Sequence, residues 1–259
     1  VVKSSSSSAK SSSSEAMSSS SSAKSSSSNA ISSSSSSSIV YSTIKDARDN
    51  QTYRIVTIGS QTWMAENLNF DYKVGSTSIG SYVNSDHPEF GRYYTWAAAM
   101  DSAALFSTNG KGCGNDKTCS PAATVRGLCP EGFRMPNKSD FETLWDAVGG
   151  QDVAANVLKS KSGWNDNGNG TDAFGFSMLP AGYSDHGVIN YVGGSVYFLS
   201  TSEFSYNNVN VMYTNYYFES VDWYNRSKFD GFSVRCLKGS ILSSSSSAKS
   251  SSSNAISSS

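Results

Sequence analysis

A short stretch of the chain is rich in side-chain oxygen atoms that could bind a metal ion. Residues 164–172 read Trp-Asn-Asp-Asn-Gly-Asn-Gly-Thr-Asp, and Asn and Asp oxygens are ligands that calcium prefers. An EF-hand register beginning at Asn165 places Phe176 where a bidentate glutamate is required, so an EF-hand is excluded. The ligands predicted for a calcium site of another kind are Asn165, Asp166, Asn167 and Asp172. Asn-Gly pairs also favour tight turns, so a purely structural turn is the alternative.

Aromatic side chains are frequent in the second half of the chain. They include Trp164, Tyr183, Tyr191, Tyr197, Tyr206, Tyr213, Tyr216, Tyr217, Trp223 and Tyr224. Aromatic faces can stack on the apolar faces of sugar rings, while Asn and Asp side chains bond the hydroxyl groups. The residues predicted to bind a ligand are Trp164, Tyr183, Trp223, Tyr224 and Asn225. The alternative is that most of these rings belong to the core or to an ordinary surface.

The residue pattern argues against catalysis. His87 and His186 lie far apart in sequence, no Gly-x-Ser-x-Gly elbow or phosphate loop occurs, and no carboxylate pair stands out as acid and base. We therefore expect a binding protein with no catalytic residues. Arg134, Arg235 and Glu66 lie within otherwise apolar motifs, which predicts buried or half-buried structural roles for them.

The four cysteines, Cys113, Cys119, Cys129 and Cys236, allow three disulfide pairings. Cys113–Cys119 would clasp a glycine-rich loop that cannot order itself by burial, and Cys129–Cys236 would close a long loop. Zinc is disfavoured because the spacings lack close Cys-x-x-Cys pairs and nearby histidines. We expect these two disulfides and an oxidising compartment. Four buried, reduced thiols in a cytosolic protein are the alternative.

Composition divides the chain into a central domain and two serine-rich linkers. Serine fills 25 positions of residues 1–38 and 12 of residues 243–259, and such segments are flexible linkers. The domain is predicted at 39–242, and linkers on both flanks predict further modules of the same parent chain. No apolar run is long enough to span a bilayer. The formal net charge of −1 disfavours nucleic-acid binding, which requires a basic surface.

The clearest helix is predicted after Pro136, with a capping box formed by Ser139 and Glu142. Its apolar positions at helical spacing are Phe141, Leu144, Trp145 and Val148. A second helix is predicted over 152–159, and a short buried helix within 94–105. The predicted inward residues of the second helix are Val153, Val157 and Leu158.

Short apolar runs separated by Gly, Asn, Asp and Ser predict antiparallel strands. The predicted strands are 40–45, 52–58, 61–66, 175–179, 188–191, 196–199, 209–218 and 232–237. Residues 71–90 and 219–230 are predicted to be loops. Strands, then helices, then strands again indicate a single α+β domain with two to three short helices.

Six motifs stand in order along the domain and carry a resemblance to a known family. They are Arg48-Asp-Asn-Gln-Thr-Tyr53, Ile58-Gly-Ser-Gln-Thr-Trp-Met-Ala-Glu-Asn-Leu68, Gly91-Arg-Tyr-Tyr-Thr-Trp-Ala-Ala-Ala-Met100, Cys129-Pro-Glu-Gly-Phe-Arg-Met-Pro136, Gly170-Thr-Asp-Ala-Phe-Gly-Phe-Ser-Met-Leu-Pro-Ala-Gly182 and Gly231-Phe-Ser-Val-Arg-Cys236. Together they resemble the Fibrobacter succinogenes major paralogous domain family over about residues 41–238. The resemblance implies a C-type-lectin-like fold, distantly similar to formylglycine-generating sulfatase-modifying enzymes, in an exported and often multi-modular protein.

The resemblance implies no activity. Lectin-like folds join a cysteine near a helix to one on the last strand, and Cys129 and Cys236 match that layout. Sugar-binding C-type lectins carry Trp-Asn-Asp shortly before the last cysteine, whereas Trp164-Asn165-Asp166 lies far ahead of Cys236. We expect a secreted or cell-surface, lectin-like binding or adhesion module whose partner is a plant-wall or surface glycan. A protein-interaction or structural display module, with a cell-surface protein as partner, is the alternative.

Overall fold

The computed structural model describes residues 38–121 and 124–239. The predicted linkers, 1–38 and 243–259, lie outside the described residues except for Ser38. The strands are β1 Ser42–Lys45, β2 Thr52–Ile58, β3 Gln61–Met64, β4 Lys73–Val74, β5 Thr77–Ser78, β6 Ser81–Val83, β7 Arg92–Tyr94, β8 Phe133–Arg134, β9 Tyr183–Asp185, β10 Val188–Asn190, β11 Ser195–Glu203, β12 Asn208–Asn215, β13 Asp222–Ser227 and β14 Leu237–Lys238. The α-helices are α1 Trp96–Ala99, α2 Lys138–Ala147 and α3 Gln151–Leu158, and 3-10 turns lie at Pro88–Phe90 and Asn165–Asn167.

Antiparallel sheets dominate the described part of the chain. The largest sheet has five strands in the order β1-β2-β3-β14-β8, so the last strand is inserted between strands from the beginning and the middle of the domain. A second sheet has the order β11-β12-β13, and β4-β5, β6-β7 and β9-β10 form two-stranded ribbons. Antiparallel sheets with a few short helices confirm the α+β class.

Both larger sheets contribute side chains to two hydrophobic clusters. Along β2, Ile55 belongs to one hydrophobic cluster and Val56 to another, as expected when successive side chains point to opposite faces. The three-stranded sheet contributes to both clusters in the same way, with Leu199 in the first and Phe198 in the second. Two core layers therefore join the sheets, and α2 and α3 cover the second layer.

The turn between β2 and β3 requires a glycine. Gly59 has φ +58°, in the left-handed region, and a Cβ atom placed there would lie 2.8 Å from Cβ of Ala147 in α2. Only glycine adopts this conformation without strain and also permits this close packing. The turn thus brings the end of α2 against the five-stranded sheet.

The main helix forms as predicted, but its capping residues differ. The four predicted apolar positions are buried. The N-cap is Asn137, whose side chain accepts a hydrogen bond from the Asp140 N–H, and the Asp140 side chain accepts one from the Asn137 N–H. The predicted box of Ser139 and Glu142 is therefore wrong, because the helix begins two residues earlier.

The second helix also forms, but it turns a different face inward. It buries Ala154, Ala155 and Leu158, whereas Val153 is 39% exposed and Val157 is half-buried. Ala154 and Ala155 take fully buried positions beside Leu158, and Val157 packs partly buried against the same cluster, so Val153 is the incorrect member of the predicted set.

The helix predicted within 94–105 is limited to Trp96–Ala99. Asp101 ends it, because its carboxylate accepts hydrogen bonds from the backbone N–H groups of Leu105, Phe106 and Ser107. These bonds replace the helical pattern with a loop wrapped around one buried side chain.

Several strand and loop predictions also need correction. Residues 175–179 contain an isolated bridge at Met178 and no strand. The predicted strand 232–237 is reduced to isolated bridges at Phe232 and Ser233, and β14 begins at its last residue, Leu237. The predicted loop 71–90 contains β4, β5 and β6, and the predicted loop 219–230 contains β13. Polar side chains on exposed strands hide the alternation from which strands are predicted.

The cysteines form the two expected disulfides, Cys113–Cys119 and Cys129–Cys236. The second links the segment before β8 to the residue before β14, which closes the five-stranded sheet covalently. Disulfides of this kind persist in oxidising compartments. Among the helices of the described residues, none combines the length and the apolar character needed to cross a bilayer.

Candidate functional site

Seven tyrosines surround a hollow of about 380 Å3 at the end of the three-stranded sheet where β11 begins and β12 ends. They are Tyr183, Tyr191, Tyr197, Tyr213, Tyr216, Tyr217 and Tyr224. Gly194, Ser195, Asn215 and Arg226 complete the lining. We call this surface the tyrosine hollow.

Strand register explains why rings distant in sequence share this surface. Tyr197 of β11 lies directly opposite Tyr213 of β12, and their ring centroids are 4.8 Å apart. Tyr224 of β13 pairs with Val211, which places it diagonally from Tyr213 on the same face, at 5.6 Å between ring centroids. Because side chains alternate along a strand, Arg226 projects from the same face as Tyr224.

Arg226 is the charged side chain among the lining residues. Its guanidinium carbon lies 4.0 Å from the centroid of the Tyr183 ring and 5.5 Å from that of Tyr197, a cation–π arrangement. Its Nη2 donates to Asp230 Oδ2 at 3.1 Å, while its buried Nε has no hydrogen-bond partner among the described residues. Burial lowers the pKa of Arg226, but the Tyr183 phenol and the Asp230 carboxylate outweigh burial and raise it. The hollow therefore holds a fixed positive charge.

Asn215 fixes the turn that carries the outer rings. Its Oδ1 accepts hydrogen bonds from the backbone N–H groups of Tyr217 at 2.9 Å and Phe218 at 3.2 Å. Its Nδ2 donates to the Tyr213 hydroxyl at 2.9 Å. Tyr217 is 73% exposed, yet hydrogen bonds hold its backbone. The turn that carries the exposed tyrosine rings is thus hydrogen-bonded to the more buried ring of Tyr213.

The chemistry that these residues offer is binding. Tyrosine rings provide apolar faces with a polar hydroxyl at the edge, and Arg226 and Asn215 add donors and an acceptor. Neither a carboxylate nor an imidazole is among the lining residues. This lining suits recognition of a polar ligand with apolar faces.

Two of the five predicted ligand-binding residues, Tyr183 and Tyr224, line the tyrosine hollow. Trp164 is 5% exposed and its Nε1 donates to Ser160 Oγ, so it belongs to the core. Trp223 and Asn225 flank Tyr224 in β13 and therefore point to the opposite face of the sheet. There Trp223 packs against Trp145, with 5.1 Å between ring centroids.

The residues predicted to bind calcium have separate roles in the structure. Asp172 Oδ1 accepts a hydrogen bond from the Ser177 N–H, and Asp172 Oδ2 accepts one from Ser177 Oγ, both at 2.7 Å. Asp166 and Asn167 have left-handed backbone conformations in a 3-10 turn. Calcium takes six to eight oxygen ligands. The loop contains two carboxylates, and because Asp172 is hydrogen-bonded to Ser177, only that of Asp166 is not bound to Ser177. These contacts favour the structural turn, while calcium binding stays a prediction.

Another group of side chains could hold a metal ion. Asp185, His186 and Asp230 place one ligand atom each within 4.8 Å of one another, the one such group among the described residues. Protein partners already occupy these atoms: His186 Nδ1 lies 2.5 Å from Asp185 Oδ1, and Asp230 accepts from Arg226. The hydrogen bond that the His186 ring donates to the Asp185 carboxylate raises the pKa of His186, and burial raises that of Asp230. These ion pairs account for the group without a metal.

Sequence reasoning omitted Arg226 and Asn215 from the site. The available signal was alternation over Asp222–Ser227, which places Tyr224 and Arg226 on one face. This alternation does not stand out in the sequence, because polar residues occur on both faces of the strand. Asn215 could be assigned only once the end of β12 was known.

Comparison with known proteins places the chain in a family. Neither a curated protein nor a solved structure matches it. The family model of the Fibrobacter succinogenes major domain matches residues 56–238, which include the three helices, the strands from β3 to β14 and the tyrosine hollow. The chain belongs to the Fibrobacter succinogenes major domain family.

Proposed function

We propose that this domain is an extracellular carbohydrate-binding module of a multi-modular protein, and that the tyrosine hollow is its binding site. The observation that carries the proposal is the convergence of seven tyrosines with Arg226 and Asn215 around one hollow. A sugar presents apolar ring faces and a rim of hydroxyl groups. The hollow offers aromatic faces for the first and hydrogen-bonding groups for the second.

The disulfides support an extracellular location, because such bonds persist outside the reducing cytosol. We also propose that the fold is C-type-lectin-like. The link from Cys129 to Cys236 supports this, because it joins a segment shortly before α2 to the residue that precedes β14. A role in binding without catalysis is supported by the lining, in which phenols and a guanidinium are the titratable groups.

Affinity electrophoresis in gels containing cellulose derivatives, xylan or mannan tests the proposal. We expect retardation in at least one gel and about tenfold weaker binding by Tyr224→Ala, because an aromatic contact contributes about 1 kcal/mol and the area that it buries adds to this. Tyr206→Ala is the matched control, because Tyr206 is 57% exposed, close to the 51% of Tyr224, but lies outside the hollow.

Two results would overturn the glycan proposal. One is the absence of retardation by any of the polysaccharides. The other is an equal loss of binding in Tyr224→Ala and Tyr206→Ala, which would show that no specific surface is involved. A domain that binds none of the polysaccharides but binds a protein of the producing cell's envelope through Tyr224 would instead be a protein-interaction module.

A further inference from the structure

A second hollow adjoins the tyrosine hollow and shares residues with it. It encloses about 290 Å3 and is lined by Asn156, Lys159, Asp166, Asn167, Gly168, Asn169, Tyr216, Tyr217, Phe218 and Glu219. We call it the amide hollow. Tyr216 and Tyr217 line both hollows, so these two rings form the ridge between them.

The ridge is held from both sides. On the side of the tyrosine hollow, the Tyr216 N–H donates to the Gly194 carbonyl at 3.0 Å. On the side of the amide hollow, Gly168 packs so closely that a Cβ atom there would lie 2.3 Å from the Tyr216 carbonyl oxygen. The ring centroids of Tyr216 and Tyr217 are 3.9 Å apart. The spacing of the two hollows is therefore set before a ligand arrives, which reduces the entropy lost on binding.

The amide hollow offers hydrogen-bonding groups suited to hydroxyl-rich ligands. Side-chain amides provide both donors and acceptors, and Asp166 provides acceptors. Lys159 is 2% exposed, and its Nζ donates to the Phe218 carbonyl oxygen at 2.7 Å and lies 4.7 Å from the centroid of the Trp164 ring. Its ammonium group thus fixes the polypeptide backbone at Phe218, the residue after the ridge tyrosines. The loop predicted to bind calcium supplies much of this lining.

We infer that one carbohydrate chain occupies both hollows and crosses the ridge at Tyr217, so that the domain binds an internal stretch of a polysaccharide and not a single sugar. The inference rests on the proposed function and deepens it, because it specifies the ligand class as an extended chain. Tyr217 contacts the chain at the crossing, and the exposed side chain of Asn167 contacts the sugar units beyond the ridge.

Calorimetric titration with cello-, xylo- and manno-oligosaccharides, from the disaccharide to the hexasaccharide, tests the inference. We expect affinity for the hexasaccharide to exceed that for the disaccharide by about tenfold or more. Asn167→Gly should weaken hexasaccharide binding about fivefold, the contribution of one hydrogen bond, and leave disaccharide binding unchanged. Glycine is the right replacement because Asn167 has φ +60°, which glycine adopts readily.

Asn50→Gly is the matched control, because Asn50 is also exposed and left-handed, with φ +65°, but lies outside both hollows. Equal affinities for short and long oligosaccharides, or an Asn167→Gly variant that binds the hexasaccharide like the wild type, would overturn the inference while leaving the tyrosine hollow as a site for a short sugar. If no oligosaccharide binds, the proposed function fails and the inference fails with it.

Discussion

The side chain of Lys228 is completely buried. Its Nζ donates to the Glu203 carboxylate and to the backbone oxygens of Lys117 at 3.0 Å and Tyr206 at 3.1 Å, so each of its three N–H groups has a partner. Glu203 also accepts from the Cys119 N–H at 3.0 Å. This buried ion pair therefore connects the loop of the small disulfide to the segment that follows β13.

Replacing Lys228 should destabilise the domain strongly. Lys228→Met leaves the Glu203 carboxylate without its cation, and breaking a buried pair costs about 3 kcal/mol. Lys73→Met is the control, because Lys73 pairs with Asp71 at the surface and such pairs contribute less than about 1 kcal/mol. Urea unfolding measures both variants. If Lys228→Met and Lys73→Met had the same free energy of unfolding, the assigned role of the buried pair would be contradicted.

Arg235 shows what sequence reasoning can predict for one residue. The sequence predicts Arg134, Arg235 and Glu66 to be buried or half-buried structural groups. Arg235 is completely buried, and the other two are half-buried. Arg235 donates to Asn67 Oδ1 at 2.6 Å and to the backbone oxygens of Met64, Phe176 and Ser177. Burial lowers its pKa to about 9. Its burial was predictable from the motif, whereas its partners depend on the tertiary structure.

At the scale of elements, α2 depends on the way its first turn is capped. The Asn137 side chain and the Asp140 side chain satisfy each other's backbone N–H groups at 3.0 and 2.8 Å. Asp140 also forms two hydrogen bonds with Arg134 of β8, at 2.6 and 2.7 Å. The cap therefore orients the helix and joins it to the five-stranded sheet.

Asn137→Ala should reduce the free energy of unfolding by about 1 kcal/mol, the usual contribution of an N-cap side chain. Ser139→Ala, at the position that the sequence pattern favoured as the cap, should change it by less than about 0.5 kcal/mol. Thermal and urea unfolding of the two variants measure the difference. A larger loss in Ser139→Ala would restore the sequence-based cap and contradict the one in the structure.

Sequence reasoning identifies strands in which buried and exposed residues alternate. The predicted strand 52–58 coincides with β2, whose buried and exposed positions alternate with one irregularity. In β13 the first, third and fourth residues are exposed and none is buried, so the strand leaves no apolar pattern to detect. Pairing with β12 defines it instead, and that long-range contact cannot be read from a local window.

At the scale of the whole molecule, the path of the chain explains the long disulfide. β14 lies between β3 and β8, so the sheet is complete only when the end of the domain returns to its beginning. The Cys129–Cys236 bond closes this connection. Closing a long loop restricts the unfolded chain most. The cysteine positions predicted the pairing, but only the sheet order shows what it holds together.

The tyrosine-rich second half was likewise visible in the sequence, whereas the choice of rings was not. Composition predicted an aromatic binding surface on this side of the domain. Strand register then selected Tyr224 and excluded its neighbour Trp223, because one residue of displacement reverses the face. Site assignment from sequence therefore depends on knowing the strand register.

The buried phenols and Lys159 give the whole domain a defined response to alkaline pH. Burial lowers the pKa of Lys159 from 10.5 to about 8. Between these values the unfolded chain binds more protons than the folded one, so stability rises with pH. Burial raises the pKa of Tyr53, Tyr72 and Tyr197 from 10.0 to about 12. Over that range the unfolded phenols ionise and the folded ones do not, so stability is lost.

The free energy of unfolding should therefore rise between pH 8 and 10 and fall steeply above pH 10, by up to about 1.4 kcal/mol per pH unit for each phenol whose pKa is raised. Urea titrations at a series of pH values, with tyrosinate absorbance as a second signal, measure this curve. Tyr197→Phe should reduce the alkaline slope by about 1.4 kcal/mol per pH unit. A slope in Tyr197→Phe equal to that of the wild type would contradict the burial of Tyr197, because a phenol already in contact with water in the folded state contributes nothing to the slope.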